Sequence, residues 1–301
     1  MPYPSYFYAD YIPLPLPEGH RFPADKYQLT RLALQQQLAL GDSHFIPSPL
    51  ATREELLTTH CADYIHDVFS GGLDSRQQKR IGFPWSPEFV KRVRASTGGT
   101  LAAAREALSE GYSAQLAGGT HHAHYDFGSG YCVFNDFAVT ANVLLKEQLV
   151  NRIAIVDLDV HQGDGNASLL ADNPDVFVFS MHGAKNFPSR KHQSDIDIEL
   201  PDGCCDGDYL DHLARALPLV RQFMPDLILY QAGVDGLGGD RLGRLQLTHQ
   251  GLIARDESVF TLASEIDVPI VHVLGGGYGE PIHATITAYV NTFKVALNMF
   301  R

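Results

Sequence analysis

Basic residues are scarce in this 301-residue chain: 23 Lys and Arg stand against 35 Asp and Glu, for a formal net charge of −12. A protein that binds nucleic-acid phosphates shows a basic patch or stripe, so this balance argues against such a partner. It is compatible with cationic substrates such as lysine side chains or polyamines. Cysteine is sparse as well. Cys61, Cys132, Cys204 and Cys205 form no CxxC pair and no disulfide framework, which suits reduced thiols in a cytoplasmic protein. No window approaches the roughly 18 consecutive apolar residues of a membrane span. The opening Met1-Pro2-Tyr3-Pro4-Ser5 shows neither the basic nor the apolar region of a signal peptide. A soluble, cytoplasmic protein with no membrane partner is therefore expected. Motifs are missing too. No GxxxxGK[ST] follows any expected strand and "GGGYG" lacks GxGxxG spacing, so a phosphate cradle has no anchor. No GxSxG elbow occurs, which leaves serine hydrolase chemistry unsupported.

What is present is a globular composition, 45% hydrophobic and 19% charged. Residues 1–25, rich in Tyr, Phe and Pro, suggest extended chain and loop. Helical composition covers 26–40. Thr52-Arg53-Glu54-Glu55 is a capping-box pattern opening a helix through about Phe69. Ser86-Pro87-Glu88 opens a further helix, and "LAAAREALSEG" gives another that stops at Gly111. From there strands at 112–116, 152–159, 176–181, 195–200, 226–232 and 268–274 alternate with helices at 135–148, 166–172, 207–223, 248–266 and 283–298. Continuous apolar strands separated by helices predict a mainly parallel sheet covered on both faces. No repeat, low-complexity tract or linker interrupts the chain, so residues 1–301 are expected to form a single α/β domain.

The unusual polar residues cluster after strands, where ligands bind in such sheets. "GGTHH" (118–122), "DLDVHQGDG" (157–165), "AGVDGLGGDRLG" (232–243) and "LGGGYG" (274–279) each follow one. A buried strand that ends in Asp157, Asp159, His161 and Asp164 calls for a cation, because isolated buried carboxylates are costly. On an extended strand Asp157, Asp159 and His161 would share a face. Adding Asp240 gives an Asp-His-Asp set, and three protein ligands plus water is the pattern of an open, catalytic zinc site. Mixed oxygen and imidazole donors would also accept Fe2+ or Co2+. His121 and His122 suit proton transfer near neutral pH, with Asp157 and Asp164 available to orient one imidazole each. Tyr278, in a glycine-rich loop, could stabilise an oxyanion.

These motifs, with "GSGYCVFND" (128–136) and "SMHG" (180–183), appear in an order across residues 118–279 that resembles the histone deacetylase family of the arginase/deacetylase superfamily. The wording of "DVHQGDGN" and "GDRLGRLQLT" resembles bacterial and class IV members. The resemblance implies an arginase/deacetylase-like fold, with a sheet of about eight strands flanked by helices. It also implies a zinc-dependent amidohydrolase that removes acyl groups from ε-amines. On the matching positions, Asp159, His161 and Asp240 would bind zinc. His121 would pair with Asp157, and His122 with Asp164. His122 would act as general base and then acid, His121 would supply positive charge, and Tyr278 would donate to the substrate carbonyl. Gly130 and Tyr131, with Phe187 opposite, would line the acyl-lysine channel. Leu247 would also line this channel, at the position where polyamine-selective relatives carry a glutamate. A structural K+ would fall at Asp157, Asp159, His161, Ser180 and Met181.

The loop "IGFPWSP" (81–87) holds no acid where class I members carry a substrate-gripping aspartate. An acyl-lysine protein or peptide is the expected substrate, and a small acetylated amine is the alternative. Asp235 is expected to be a structural turn residue, and Tyr131 adds a hydroxyl where many members have Phe.

Overall fold

The computed structural model describes residues 4–300. In chain order the elements are β1 (Tyr6–Tyr8), α1 (Lys26–Leu38), β2 (Phe45–Pro47), α2 (Arg53–Leu56), α3 (Ala62–Ser70), α4 (Ser75–Ile81), α5 (Pro87–Glu110) and β3 (Tyr112–Gln115). Then come α6 (Asp136–Lys146), β4 (Ile153–Asp157), α7 (Asp164–Leu170), β5 (Val176–Gly183), β6 (Ile196–Leu200), α8 (Asp206–Phe223), β7 (Leu227–Gln231), α9 (His249–Glu265), β8 (Ile270–Val273) and α10 (His283–Met299). The strands form one eight-stranded sheet in the order β2-β1-β3-β8-β7-β4-β5-β6. Every pairing is parallel, so this is one α/β domain built on an all-parallel sheet.

The central strands are apolar throughout because helices cover both faces. Ile153, Ala154, Ile155 and Val156 of β4 are fully buried, as are Leu227, Ile228, Leu229 and Tyr230 of β7. Since all strands run the same way, their C-terminal ends share one edge. The four polar clusters follow β3, β8, β7 and β4, which are consecutive neighbours in the sheet. Polar residues spread from 118 to 279 are thereby brought to a single edge.

The N-terminal half departs from expectation. The stretch 1–25 is not all loop: Tyr6–Tyr8 form β1, paired with both β2 and β3, and residues 1–3 lie outside the described residues. Both β1 and β2 are three residues long, too short for an alternation to show. The capping box at Thr52 forms as expected, with Glu55 N donating to Thr52 Oγ1 and Thr52 N to Glu55 Oε2. Its helix nevertheless ends at Leu56, and α3 starts afresh with Cys61 as its cap. The short helix α4 was not anticipated.

The two helices expected on either side of Thr97-Gly98-Gly99-Thr100 are one continuous helix, α5. The paired glycines mark close packing rather than a break. A Cβ on Gly98 would collide with the backbone of Pro49 and Ala51, and one on Gly99 with the side chains of Gln115 and Ser48. Replacing Gly98 with Leu should cost about 1–3 kcal/mol of stability through overpacking, measured as a lower urea midpoint at unchanged slope. An unshifted midpoint would show that α5 does not lie this close to the segment after β2.

Candidate active site

Each loop at the sheet edge is held by buried polar contacts. After β3, Asp136 at the start of α6 accepts from Gly119 N (2.8 Å), Thr120 N (2.8 Å) and Thr100 Oγ1 (2.7 Å). Gln231 Nε2 of β7 donates to Gly119 O at 3.1 Å. These contacts fix the segment carrying His121 and His122. After β4 the geometry differs from the expected strand, because β4 ends at Asp157. Asp157 Oδ1 accepts from Asp159 N (3.3 Å) and Asp159 Oδ1 from His161 N (3.0 Å). Asp side chains that capture the backbone two residues on stabilise turns, so the acids converge by coiling the chain rather than by strand alternation.

Two imidazole–carboxylate pairs result. His121 Nδ1 donates to Asp157 Oδ2 at 2.8 Å and His122 Nδ1 to Asp164 Oδ1 at 2.6 Å. The two rings lie 4.1 Å apart, centroid to centroid. Burial opposes charge on both, but they end on opposite sides of neutrality. Around His121 the charges of Asp157 and Asp159 outweigh burial and push it up to about 9. Burial, reinforced by the His121 charge, takes His122 down to about 4 despite Asp164. Titratable neighbours pushed apart in this way can divide acid and base roles.

The sequence reading missed a third imidazole. His124 Nε2 donates to Asp164 Oδ2 at 3.0 Å, so Asp164 serves His122 and His124 together. The signal was present as a third histidine in "HHAH", but its spacing matches no ligand pattern.

A dense anionic cluster lies beside the pairs. His161 Nδ1 is 3.0 Å from Asp159 Oδ1 and 3.1 Å from Asp235 Oδ2. One N–H cannot align on both oxygens, and Asp235 Oδ2 is buried with no aligned donor. Asp235 is the structural turn residue expected in one respect, since its Oδ1 accepts from Val160 N at 2.9 Å. It is also pushed up to about 7, first by burial and then by the Asp159 charge. Asp159 Oδ2 accepts from Gly276 N (2.7 Å), and a side chain on Gly276 would run into Asp235 and Asp159. The grouping of Asp159, His161 and Asp235, with donor atoms all within 4.8 Å of one another, is a donor set that a divalent cation fits. Asp240, expected as the third member of this set, is not part of it; Asp235 takes that place beside His161, whereas both Asp240 oxygens are turned to backbone N–H groups. Asp240 Oδ2 accepts from Tyr278 N at 2.6 Å, and its Oδ1 from Leu242 N (2.8 Å) and Gly243 N (3.1 Å).

Behind Tyr278 is Lys26, fully buried, another residue the sequence did not flag. Its Nζ donates to Gly275 O (2.9 Å) and Tyr289 Oη (3.1 Å) and sits 4.9 Å from the centre of the Tyr278 ring. Burial lowers this ammonium to about 8.

A cavity of about 780 Å3 opens to solvent from this point, with His122, His161 and Tyr278 among its lining residues. Gly130, Tyr131 and Phe187 line its walls. Gly130 adopts φ +52, and a Cβ there would sit 2.9 Å from the His122 ring and 3.1 Å from Phe187, so only glycine keeps the passage open. The Tyr131 ring packs at a tilt against Phe22, Phe83 and Tyr278, with centroids 5.0, 5.3 and 6.3 Å away. Leu247, expected on this wall, is instead 2% exposed under Gly236, and Leu242 lines the cavity. The loop folds back through a Leu237–Leu247 bridge, which turns Leu247 inward. Ser180 is the register partner of Asp157 and, like Met181, is fully buried.

The histone deacetylase domain matches residues 20–293. The chain belongs to the histone deacetylase family. It is similar to an uncharacterized protein of Picosynechococcus sp., 40% identical over the full length of both chains. It is also similar to histone deacetylase 2 of Arabidopsis thaliana, 32% identical over 269 residues, 86% of this chain and 70% of that one. Among solved structures, an HDAC homolog crystallised with SAHA superposes with a TM-score of 0.83 at 26% identity, covering 97% of this chain and 84% of the other. Family membership and these relatives support a hydrolytic deacetylase.

The opposed histidines yield a pH prediction for this family member. His122 stays neutral above about 4 and His121 stays charged below about 9. Deacetylation is expected to fall on the acid side as His122 gains its proton, and on the alkaline side as His121 loses its own. The Asp157→Asn variant, which removes the largest support for the His121 charge, should bring the alkaline limb to lower pH in a kcat/KM profile. An unmoved limb would detach it from this pair.

Proposed function

We propose that this protein is a zinc-dependent amidohydrolase that removes acetyl or longer acyl groups from lysine side chains of proteins or peptides, acting in the cytoplasm. The observation carrying this reading is the meeting of a neutral and a charged imidazole with an imidazole–carboxylate cluster and a tyrosine at one end of a cavity. Asp159, His161 and Asp235 would hold the metal; Asp240, expected as the third ligand, has both oxygens engaged by backbone N–H groups. Nitrogen and carboxylate donors of this kind also suit Fe2+ or Co2+. A bound Zn2+ would supply a Lewis acid that polarises the acyl carbonyl and makes water acidic enough to attack.

The chain's own residues divide the remaining work. Asp164 holds His122 in the tautomer whose Nε2 is free to take a proton from the attacking water, and His122 then returns it to the departing amine. His121, kept charged by Asp157, places positive charge beside the developing negative charge. Tyr278 can donate to that charge from the cavity wall, and its hydroxyl is held protonated because burial pushes its pKa well above the ordinary value. Gly130, Tyr131 and Phe187 leave room for an extended alkyl arm. A structural K+ at Asp157, Asp159, His161, Ser180 and Met181 belongs to the same reading, supported by the Asp157–Ser180 register. The alternative substrate, a small acetylated amine, is favoured by the acid-free 81–87 segment beside the cavity.

Tyr278→Phe should leave metal content unchanged and lower turnover of an acetyl-lysine peptide by about 10²–10³, the usual cost of one oxyanion donor; equal turnover removes that role. His122→Ala should be more damaging than His121→Ala, and the reverse order would exchange their assignments. Metal content by mass spectrometry separates the two carboxylate candidates. Asp235→Asn should lose bound metal and Asp240→Asn should retain it, whereas the opposite result moves Asp240 into the ligand set.

A further inference from the structure

The rim of the active-site cavity carries a charge opposite to that of the whole protein. Its lining residues include Lys79 and Arg80 of α4, Lys185 after β5, and Arg241 and Arg244 after β7, with no Asp or Glu among them. Five of the chain's 23 basic side chains are thus gathered from three segments around one opening, on a protein of net charge −12. All five are exposed, with Lys185 at 73%, Arg244 at 55% and Arg241 at 40%. Nearby acids neutralise only part of this ring. Asp202 lies 3.3 Å from Arg244 and 3.5 Å from Lys185, and Glu280 lies 2.9 Å from Arg241. The Arg80 guanidinium lies over the Phe127 ring, 4.6 Å from its centre, and the residue is exposed. The ring therefore keeps a positive excess of three after its two acids are counted.

A cleft lined by one sign of charge focuses the field at its mouth and concentrates ligands of the opposite sign. The cavity floor holds His122, His161 and Tyr278, so an acyl chain reaching that floor leaves the rest of its carrier against these five cations. Building on the deacylase reading, we propose that the preferred substrate is an acylated amine whose carrier is anionic, with carboxylates flanking the acyl-lysine. Basic tails and polyamines are the carriers this rim repels. The net charge of the chain is compatible with cationic substrates; the charge that a substrate meets is local and has the other sign.

The test uses the full-length metal-loaded enzyme and three acetyl-lysine peptides that differ only in flanking residues: Asp pairs, Ser pairs or Lys pairs. At low ionic strength kcat/KM should fall in that order, by roughly tenfold or more from the first to the last, and the spread should collapse as salt screens the rim. Nα,Nε-diacetyl-lysine, whose only charge is its carboxylate, and a cationic monoacetylated diamine form a small-molecule arm. Efficient use of the former against the latter assigns the anion to a small substrate rather than a peptide. The double variant Lys79→Glu, Arg244→Glu should reverse the peptide order, chiefly through KM. Equal efficiencies at low salt, or a preference for the Lys-flanked peptide, would overturn the inference while leaving the deacylase reading intact. Absence of turnover on every substrate would count against the deacylase reading instead. In that event anisotropy of the three labelled peptides still reads the rim: tighter binding of the acidic one supports it, and indifference to charge rejects it.

Discussion

Charge compensation among buried carboxylates is the constraint on which the site depends. Asp157, Asp159 and Asp235 are at most 1% exposed and Asp164 is 6% exposed, all at one edge of one sheet. Bare carboxylates in such a place carry a large desolvation penalty, and the molecule meets it with imidazoles. His121 answers Asp157, His122 and His124 share Asp164, and His161 stands between Asp159 and Asp235. The same pairings that make these acids tolerable also set the protonation of the histidines. Stability and chemistry are therefore bound to the same hydrogen bonds.

The parallel sheet makes this concentration possible. With every strand in one direction, all the C-terminal ends meet at one edge, and four neighbouring strands deliver their loops to a common point. The apolar strands behind them form a rigid platform on which short loops can be held by single buried groups. Asp136 does this for the histidine loop, Gly276 N for Asp159, and Lys26 for the glycine-rich turn under Tyr278. Close approach replaces bulk at the points of tightest contact, which is why glycine recurs at Gly130 and Gly276.

Overall charge and local charge answer different questions in this protein. The acidic surplus belongs to the surface as a whole and to the site floor, whereas the opening is ringed by lysine and arginine from α4 and two strand-end loops. Electrostatic focusing acts over roughly 10 Å at moderate salt, so an incoming ligand responds to the rim and hardly to the distant surface. A hydrolase of the histone deacetylase family can in this way keep its reaction centre and change the carriers it admits by altering exposed residues alone.

Much of the fold and most of the candidate site were legible in the chain. Six strands of the C-terminal two-thirds show because buried parallel strands are continuous apolar runs, and His121, His122, Asp157, Asp159, His161, Asp164 and Tyr278 show because charged residues at strand ends are chemically anomalous. The strands at Tyr6–Tyr8 and Phe45–Pro47 did not, since three residues carry no period and their pairing is long-range. The glycines of α5 look like a break until the neighbouring backbone of Pro49 and Ala51 is in view. Local sequence thus determined which residues are costly to bury and where the strands and helices alternate. Tertiary structure alone decided that Asp235 faces His161, that His124 shares Asp164, that Lys26 lies beneath Tyr278, that Leu242 rather than Leu247 lines the cavity, and that five distant cations ring its mouth. Each of those is a contact between segments far apart in the chain, and spacing along a sequence carries no information about such distances.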